Sequence, residues 1–183
     1  HRPRRLQVFL DRLDRTGRTE QVLDGLTIPN GVGWSADGRT MYLVDSGPRV
    51  VHAFTFDPAT GGISSGRILV TVPEEVGSPD GMTVDAAGDL WVAIYGGGQV
   101  RRYSPEGALL EAHPVPARQS TCCAFAGPGL RLAAPHPGDD RGKPAGGLGI
   151  VGADAAGGVE GFDVGDVEPA IIIMTRSAAD DER

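Results

Sequence analysis

The sequence predicts an all-β protein that forms part of a propeller, and three observations carry that expectation. Turn-forming residues are abundant, with 28 glycines and 14 prolines among 183 residues, yet hydrophobic residues still make up 40%. That is enough for a packed core, so the excess reads as many turns rather than disorder. A short motif also recurs: Ile28-Pro29-Asn30-Gly31-Val32 returns 50 residues later as Ser78-Pro79-Asp80-Gly81-Met82. Behind each copy, short apolar runs alternate with turn clusters, and four strands in about 40 to 50 residues is the size of one propeller blade.

Leu6 to Arg12 and Glu20 to Leu23, split by the turn Asp14-Arg15-Thr16-Gly17, fit the outer two strands of a preceding blade. The first complete unit opens with the Pro-Asn-Gly motif and continues through Val32-Gly33-Trp34-Ser35. It turns at Ala36-Asp37-Gly38 and returns along Thr40 to Asp45. Val50 to Phe56 and Gly66 to Val72 follow, separated by Asp57-Pro58-Ala59-Thr60-Gly61-Gly62. The second unit repeats this plan with Met82-Thr83-Val84-Asp85, a turn at Ala86-Ala87-Gly88, then Leu90 to Ile94, Gln99 to Tyr103 and Leu109 to Val115. A third begins at Thr121-Cys122-Cys123-Ala124-Phe125-Ala126 and continues through Leu130-Arg131-Leu132 to Gly147-Leu148-Gly149-Ile150-Val151. The chain is thus expected to supply about three and a half to four blades, as one partial β-propeller domain over residues 1–165. The run Ile171 to Met174 fits the repeat poorly; of a strand pairing elsewhere and a ragged end, the second is favoured, giving an irregular C-terminal tail over 166–183.

Charge and composition exclude several classes. With 17 basic against 24 acidic residues and a net charge of -7, the chain has no nucleic-acid footprint. Its longest aliphatic cluster falls far short of the roughly 18 apolar residues of a membrane span. The two cysteines, Cys122 and Cys123, are adjacent, a geometry that disfavours a disulfide. The lack of disulfide patterning favours a cytoplasmic location. The chain begins at His1 without an initiator methionine or a signal-like apolar stretch, so upstream blades are expected.

Isolated candidates read as structural. His1, His52, His113 and His136 lack metal-binding spacing. Gly96-Gly97-Gly98 has no Gly-Lys-Ser/Thr sequel and reads as a loop. Ser35, Ser46 and Ser78 lack a nearby catalytic pattern. Asp37, Asp85 and Asp89 read as solvated turn carboxylates, Cys122 and Cys123 as small hydrophobes near an inner strand, and Trp34 and Trp91 as interblade core.

In a propeller the innermost strand of each blade lines the central channel, so residues just ahead of that strand converge at one mouth. Asn30 and Asp80 hold this position. Their oxygens are hard ligands that suit Ca²⁺, Mg²⁺ or Mn²⁺, and a carboxylate beside such an ion can orient or deprotonate water. The glycines that follow are expected to let the backbone approach a ligand closely. A plain turn role is the alternative. It is weakened because Asp37-Gly38 and Ala87-Gly88 already supply the hairpin turns, and because Asn30 is the only asparagine in the chain.

Taken in order, Pro29-Asn30-Gly31-Val32-Gly33-Trp34-Ser35, Tyr42-Leu43-Val44-Asp45-Ser46, Pro79-Asp80-Gly81-Met82-Thr83-Val84-Asp85, Gly88-Asp89-Leu90-Trp91-Val92-Ala93 and Thr121-Cys122-Cys123-Ala124-Phe125 resemble landmarks of the regucalcin/gluconolactonase family of sugar-lactone hydrolases. The resemblance runs from about Leu6 to Val151. It implies a six-bladed propeller with one divalent metal, commonly Ca²⁺ or Zn²⁺, at the channel mouth, and a metal-bound water attacking a lactone carbonyl. It implies three metal ligands: an early glutamate, the asparagine of the Pro-Asn-Gly motif and the aspartate of the Pro-Asp-Gly motif. Asn30 and Asp80 match the last two, and Asp80 is also the implied general base. The glutamate and the family's arginine and asparagine substrate contacts belong upstream of His1, and Glu20, in an outer-strand context, is no replacement. The expected function is divalent-metal-dependent hydrolysis of sugar lactones, with a sugar lactone as the small-molecule partner and neither nucleic acid nor membrane. The competing expectation is a non-catalytic propeller fragment that binds Ca²⁺ or a partner protein. Two ligands on an unclosed sheet would hold metal weakly, and an open blade edge would favour self-association.

Overall fold

Each repeated motif feeds a strand that folds back on itself through a glycine turn. The turn glycines Gly38 and Gly88 sit at φ 65° and 90°, where a Cβ would be strained. In a computed structural model of the chain, residues 8–126 apart from 15 and 117 are described, together with the strands Arg131–Pro135, Leu148–Asp154 and Ile171–Arg176. The strands are β1 (Val8–Leu13), β2 (Thr19–Leu26), β3 (Pro29–Trp34), β4 (Thr40–Asp45), β5 (Val50–Asp57), β6 (Gly62–Thr71) and β7 (Ser78–Val84). They continue with β8 (Leu90–Tyr95), β9 (Gln99–Tyr103), β10 (Leu109–Pro114), β11 (Ala124–Ala126), β12 (Arg131–Pro135), β13 (Leu148–Asp154) and β14 (Ile171–Arg176). Among the described residues there is no α-helix, only a 3-10 turn at Glu74–Val76 ahead of β7. No helix there is long and apolar enough to cross a membrane.

The strands form four antiparallel sheets, ordered β14-β1-β2, β3-β4-β5-β6, β7-β8-β9-β10 and β11-β12-β13. Two four-stranded blades flanked by two three-stranded sheets match the all-β, partial-propeller expectation. The second strands of the complete blades, β4 and β8, are buried on both faces. Met41 and Leu43 point towards the β1–β2 sheet, while Tyr42 and Val44 point towards β7 and β8. Leu90, Val92 and Ile94 meet them, and Trp91 and Ala93 face Cys123 and Phe125 on the other side. The core therefore lies between blades, and alternate residues of one strand serve two interfaces.

The run Ile171–Arg176 corrects the expected irregular tail. It is a strand, pairing antiparallel with β1 in unbroken register from Val8↔Arg176 to Leu13↔Ile171. The physical reason is a vacant hydrogen-bonding edge. β2 occupies one side of β1, and the β-branched Ile171-Ile172-Ile173 suits the other. The remainder of the expected tail, 166–170 and 177–183, lies outside the described residues, as does the expectation for Leu6.

The inner strands share an irregularity at the candidate site residues. Along β3 and β4 the pairing steps from Pro29↔Asp45 to Val32↔Leu43, and along β7 and β8 from Pro79↔Ile94 to Met82↔Val92. Each inner strand thus carries one extra residue over its Asn-Gly or Asp-Gly pair. Such bulges interrupt the strict alternation of a strand and re-aim a side chain.

Candidate metal centre

The bulges bring the two candidate ligands together. The inner strands β3 and β7 lie side by side, so closely that a Cβ on Gly31 would strike the backbone nitrogen of Met82 and lie 2.8 Å from the Asp80 carbonyl oxygen. Gly81 meets the next unit in the same way. A Cβ there would lie 2.6 Å from the Thr121 carbonyl oxygen, to which its own N–H donates at 2.8 Å. The absence of a Cβ at these glycines admits the neighbouring inner strand. Close approach of the strands sets Asn30 beside Asp80. Burial pushes the Asp80 carboxyl above its ordinary range, while the neighbouring Asn30 amide and Gly81 N–H pull it back.

Two residues without an assigned role in the sequence reading hold this pair in place. Ser46, just past β4, accepts a hydrogen bond from Asn30 Nδ2 at 3.2 Å and donates from its hydroxyl to the Pro79 carbonyl at 2.6 Å. Asp45, at the end of β4, is 3% exposed, and its carboxylate accepts the Thr27 and Ile28 N–H groups at 2.9 and 2.7 Å. It fastens the chain just before the Pro-Asn-Gly motif by holding two successive backbone N–H groups. The available signal was an Asp-Ser pair at the end of a strand that returns to the channel mouth. Sequence spacing alone does not show that its side chains reach 16 to 33 residues away.

Residues 7–133 match the family described as the SMP-30/Gluconolactonase/LRE-like region. The chain belongs to this family. It is similar to a pentonolactonase of Haloferax volcanii, 38% identical over 156 residues that cover 85% of this chain and 54% of the relative. Among solved structures it resembles regucalcin, a calcium-binding protein of Agrobacterium tumefaciens, with a TM-score of 0.67 and 31% identity over 77% of this chain and 51% of that one. A gluconolactonase of Xanthomonas campestris aligns with a TM-score of 0.58 and 30% identity, over 69% and 40% of the two chains. The chain spans about half the length of the relatives it matches, between 40% and 54% for these three.

The donor set of this family member suits a hard cation in part. An amide oxygen and a carboxylate stand together, and both are donors that Ca²⁺ or Mg²⁺ accepts. Among the described residues, no group of three His, Cys, Asp or Glu side chains converges to complete a site. Glu20 sits on the outer strand β2, paired with Arg12 at 2.6 Å, away from the inner strands.

The remaining candidates separate into structural roles. His52 lies in β5, where burial lowers its pKa, and His113 stacks on Trp91 with centroids 5.2 Å apart. His1 and His136 lie outside the described residues. The cysteines divide: Cys122 is exposed, while Cys123 is buried, its thiol pushed up to about 12 and its sulfur 3.2 Å from the Trp91 carbonyl oxygen. Asp37 is exposed as expected, but Asp85 and Asp89 are each only 8% exposed. Asp85 accepts the Trp91 indole N–H at 2.8 Å, and Asp89 pairs with Arg102 at 2.6 Å. A buried indole N–H needs an acceptor, and the turn carboxylate two strand positions away supplies it. The string Gly62-Ile63-Ser64-Ser65-Gly66 meets the letters of a nucleophile elbow, but it runs within the outer strand β6, not through a strand-to-helix turn.

Proposed function

We propose that the protein hydrolyses sugar lactones at the channel mouth, with Asn30 and Asp80 as two of the ligands of a divalent cation. The observation that carries this reading is the Asn30–Asp80 pair, brought side by side at matching bulges of closely packed neighbouring inner strands. The lactonase names of the relatives from Haloferax and Xanthomonas support the substrate class. The oxygen donors and the calcium-binding description of the Agrobacterium relative support Ca²⁺; Zn²⁺, the other ion expected, is less suited to a site without His or Cys. When bound, a divalent cation polarises a carbonyl and acidifies water. Asp80 then acts on the proton. Its carboxylate accepts the proton of the attacking water as the water oxygen bonds to the carbonyl carbon. The ring C–O bond breaks, and the proton passes to the departing alkoxide, giving the hydroxy acid. Asn30 contributes its amide oxygen beside Asp80.

The test is lactone hydrolysis, measured with and without chelator, in the parent chain and in Asp80→Ala. Chelation and the substitution are each expected to lower kcat/KM by about 100-fold or more. Activity that survives both would overturn the assignment. A second reading, a non-catalytic protein that binds Ca²⁺ or a partner protein, is favoured by the lack of a third converging acidic ligand among the described residues. Calorimetric Ca²⁺ binding without turnover would select it.

A further inference from the structure

We infer that Ser46 is a positioning residue of this site, setting which end of the Asn30 amide is free to meet a cation. The inference rests on the metal-site reading above. Its argument is one of donors and acceptors. A serine hydroxyl has a single proton, and that of Ser46 is committed to the Pro79 carbonyl oxygen at 2.6 Å. Towards Asn30, therefore, Ser46 Oγ only accepts, and the group it faces at 3.2 Å must be the NH₂ end of the amide. The other end, Oδ1, is turned away and keeps its lone pairs for a cation. Without the hydroxyl, the amide loses the acceptor that holds its NH₂ end at this position, and the flipped form turns an N–H where an oxygen ligand belongs.

The same hydroxyl also couples the two ligand strands. Pro79 immediately precedes Asp80 at the β7 bulge, so Ser46 links the amide of one ligand to the backbone that carries the other. Its own backbone is fixed in turn, with its N–H donating to the Ile28 carbonyl oxygen at 2.9 Å. Ser46 thus belongs to the shell behind the ligands, where removal of one hydrogen bond commonly weakens metal affinity by about 10-fold to 100-fold.

Asn30 is the only asparagine in the chain, so selective ¹⁵N-asparagine labelling of the 183-residue chain yields a single side-chain NH₂ pair. In the parent chain this pair is expected to be protected from exchange and to shift on addition of CaCl₂. In Ser46→Ala it is expected to move towards free-amide positions, with the Ca²⁺ Kd raised about 10-fold or more. Ser46→Thr, which keeps the hydroxyl, is expected to restore both readings. Thermal unfolding identifies any variant that has lost its fold, and Ser46→Cys, with similar volume but a weak hydrogen-bonding group, takes the place of Ser46→Ala in that event. An amide pair and a Kd unchanged in the variant lacking the hydroxyl would overturn the inference. A parent amide pair that ignores CaCl₂ would instead overturn the metal reading, since the Ser46-dependent shift is read without metal.

Discussion

At the scale of the residue, the glycines of the two motifs are governed by different physics from the glycines of the hairpin turns. Gly31 has no room: a Cβ there would press on the backbone of Met82 and Asp80, which cannot swing aside as a side chain would. Gly38 has open space around its missing Cβ but sits at φ 65°, so a substitution costs only the left-handed strain of about 1 to 2 kcal/mol. Gly38→Ala is therefore expected to lower stability by about that amount. Gly31→Ala must push β3 and β7 apart, and a loss of at least about 3 kcal/mol is expected, together with any Ca²⁺ response. Urea unfolding of the two variants checks this. A Gly31→Ala chain as stable as Gly38→Ala would mean that the inner strands do not pack as closely as the structure shows. The sequence assigned Gly38 to its turn, but it carries no record that the backbone of β7 lies against Gly31.

At the scale of the element, the second strand of each complete blade is where destabilisation should concentrate. Ile94 in β8 is fully buried and meets the neighbouring blade, while Leu109 in the outer strand β10 is 49% exposed. Ile94→Ala removes buried methylenes and leaves a cavity between blades, so a loss of about 2 to 5 kcal/mol is expected. Leu109→Ala is expected to stay within about 0.5 kcal/mol. Equal effects in chemical denaturation would show that the interblade core is not the principal source of stability. The same contrast shows what could be read in advance. Apolar runs bounded by turns marked β4, β5, β8 and β9 because local propensity and tertiary burial agree there. The pairing of β14 with β1 was not legible, because a partner more than 150 residues away leaves no local trace. Asn30 and Asp80 were legible through the repeat. Their juxtaposition, and the Asp45 and Ser46 side chains around it, depend on a bulge that shifts register by one residue, and a repeat does not report register.

At the scale of the whole molecule, the acidic balance of the chain is partly distributed among its turns, and these turns set its response to acid. Asp14, Asp37 and Asp57 each occupy a hairpin turn and each accept bonds from a nearby hydroxyl and from backbone N–H groups. The hydroxyl bonds, from Thr16, Ser35 and Thr60 respectively, are the main reason that all three carboxyls fall below their ordinary value of 3.8. A carboxylate whose folded pKa is depressed contributes stability that is present above 3.8 and lost as pH falls through the folded value. Asp80 has the opposite sign. Its raised pKa favours the protonated form in the folded state, so its contribution is present below 3.8 and lost as pH rises through the folded value. Three turns against one site residue predict a net loss of stability on acidification. All three turn groups are fully exposed, so each contribution is small and screened by salt. The urea midpoint of the chain is expected to fall between about pH 5 and about pH 2. In the triple variant Asp14→Asn, Asp37→Asn, Asp57→Asn it should start lower at neutral pH and fall less steeply, because the groups that titrate have been removed. Parallel slopes for parent and variant would place the acid sensitivity outside these three turns.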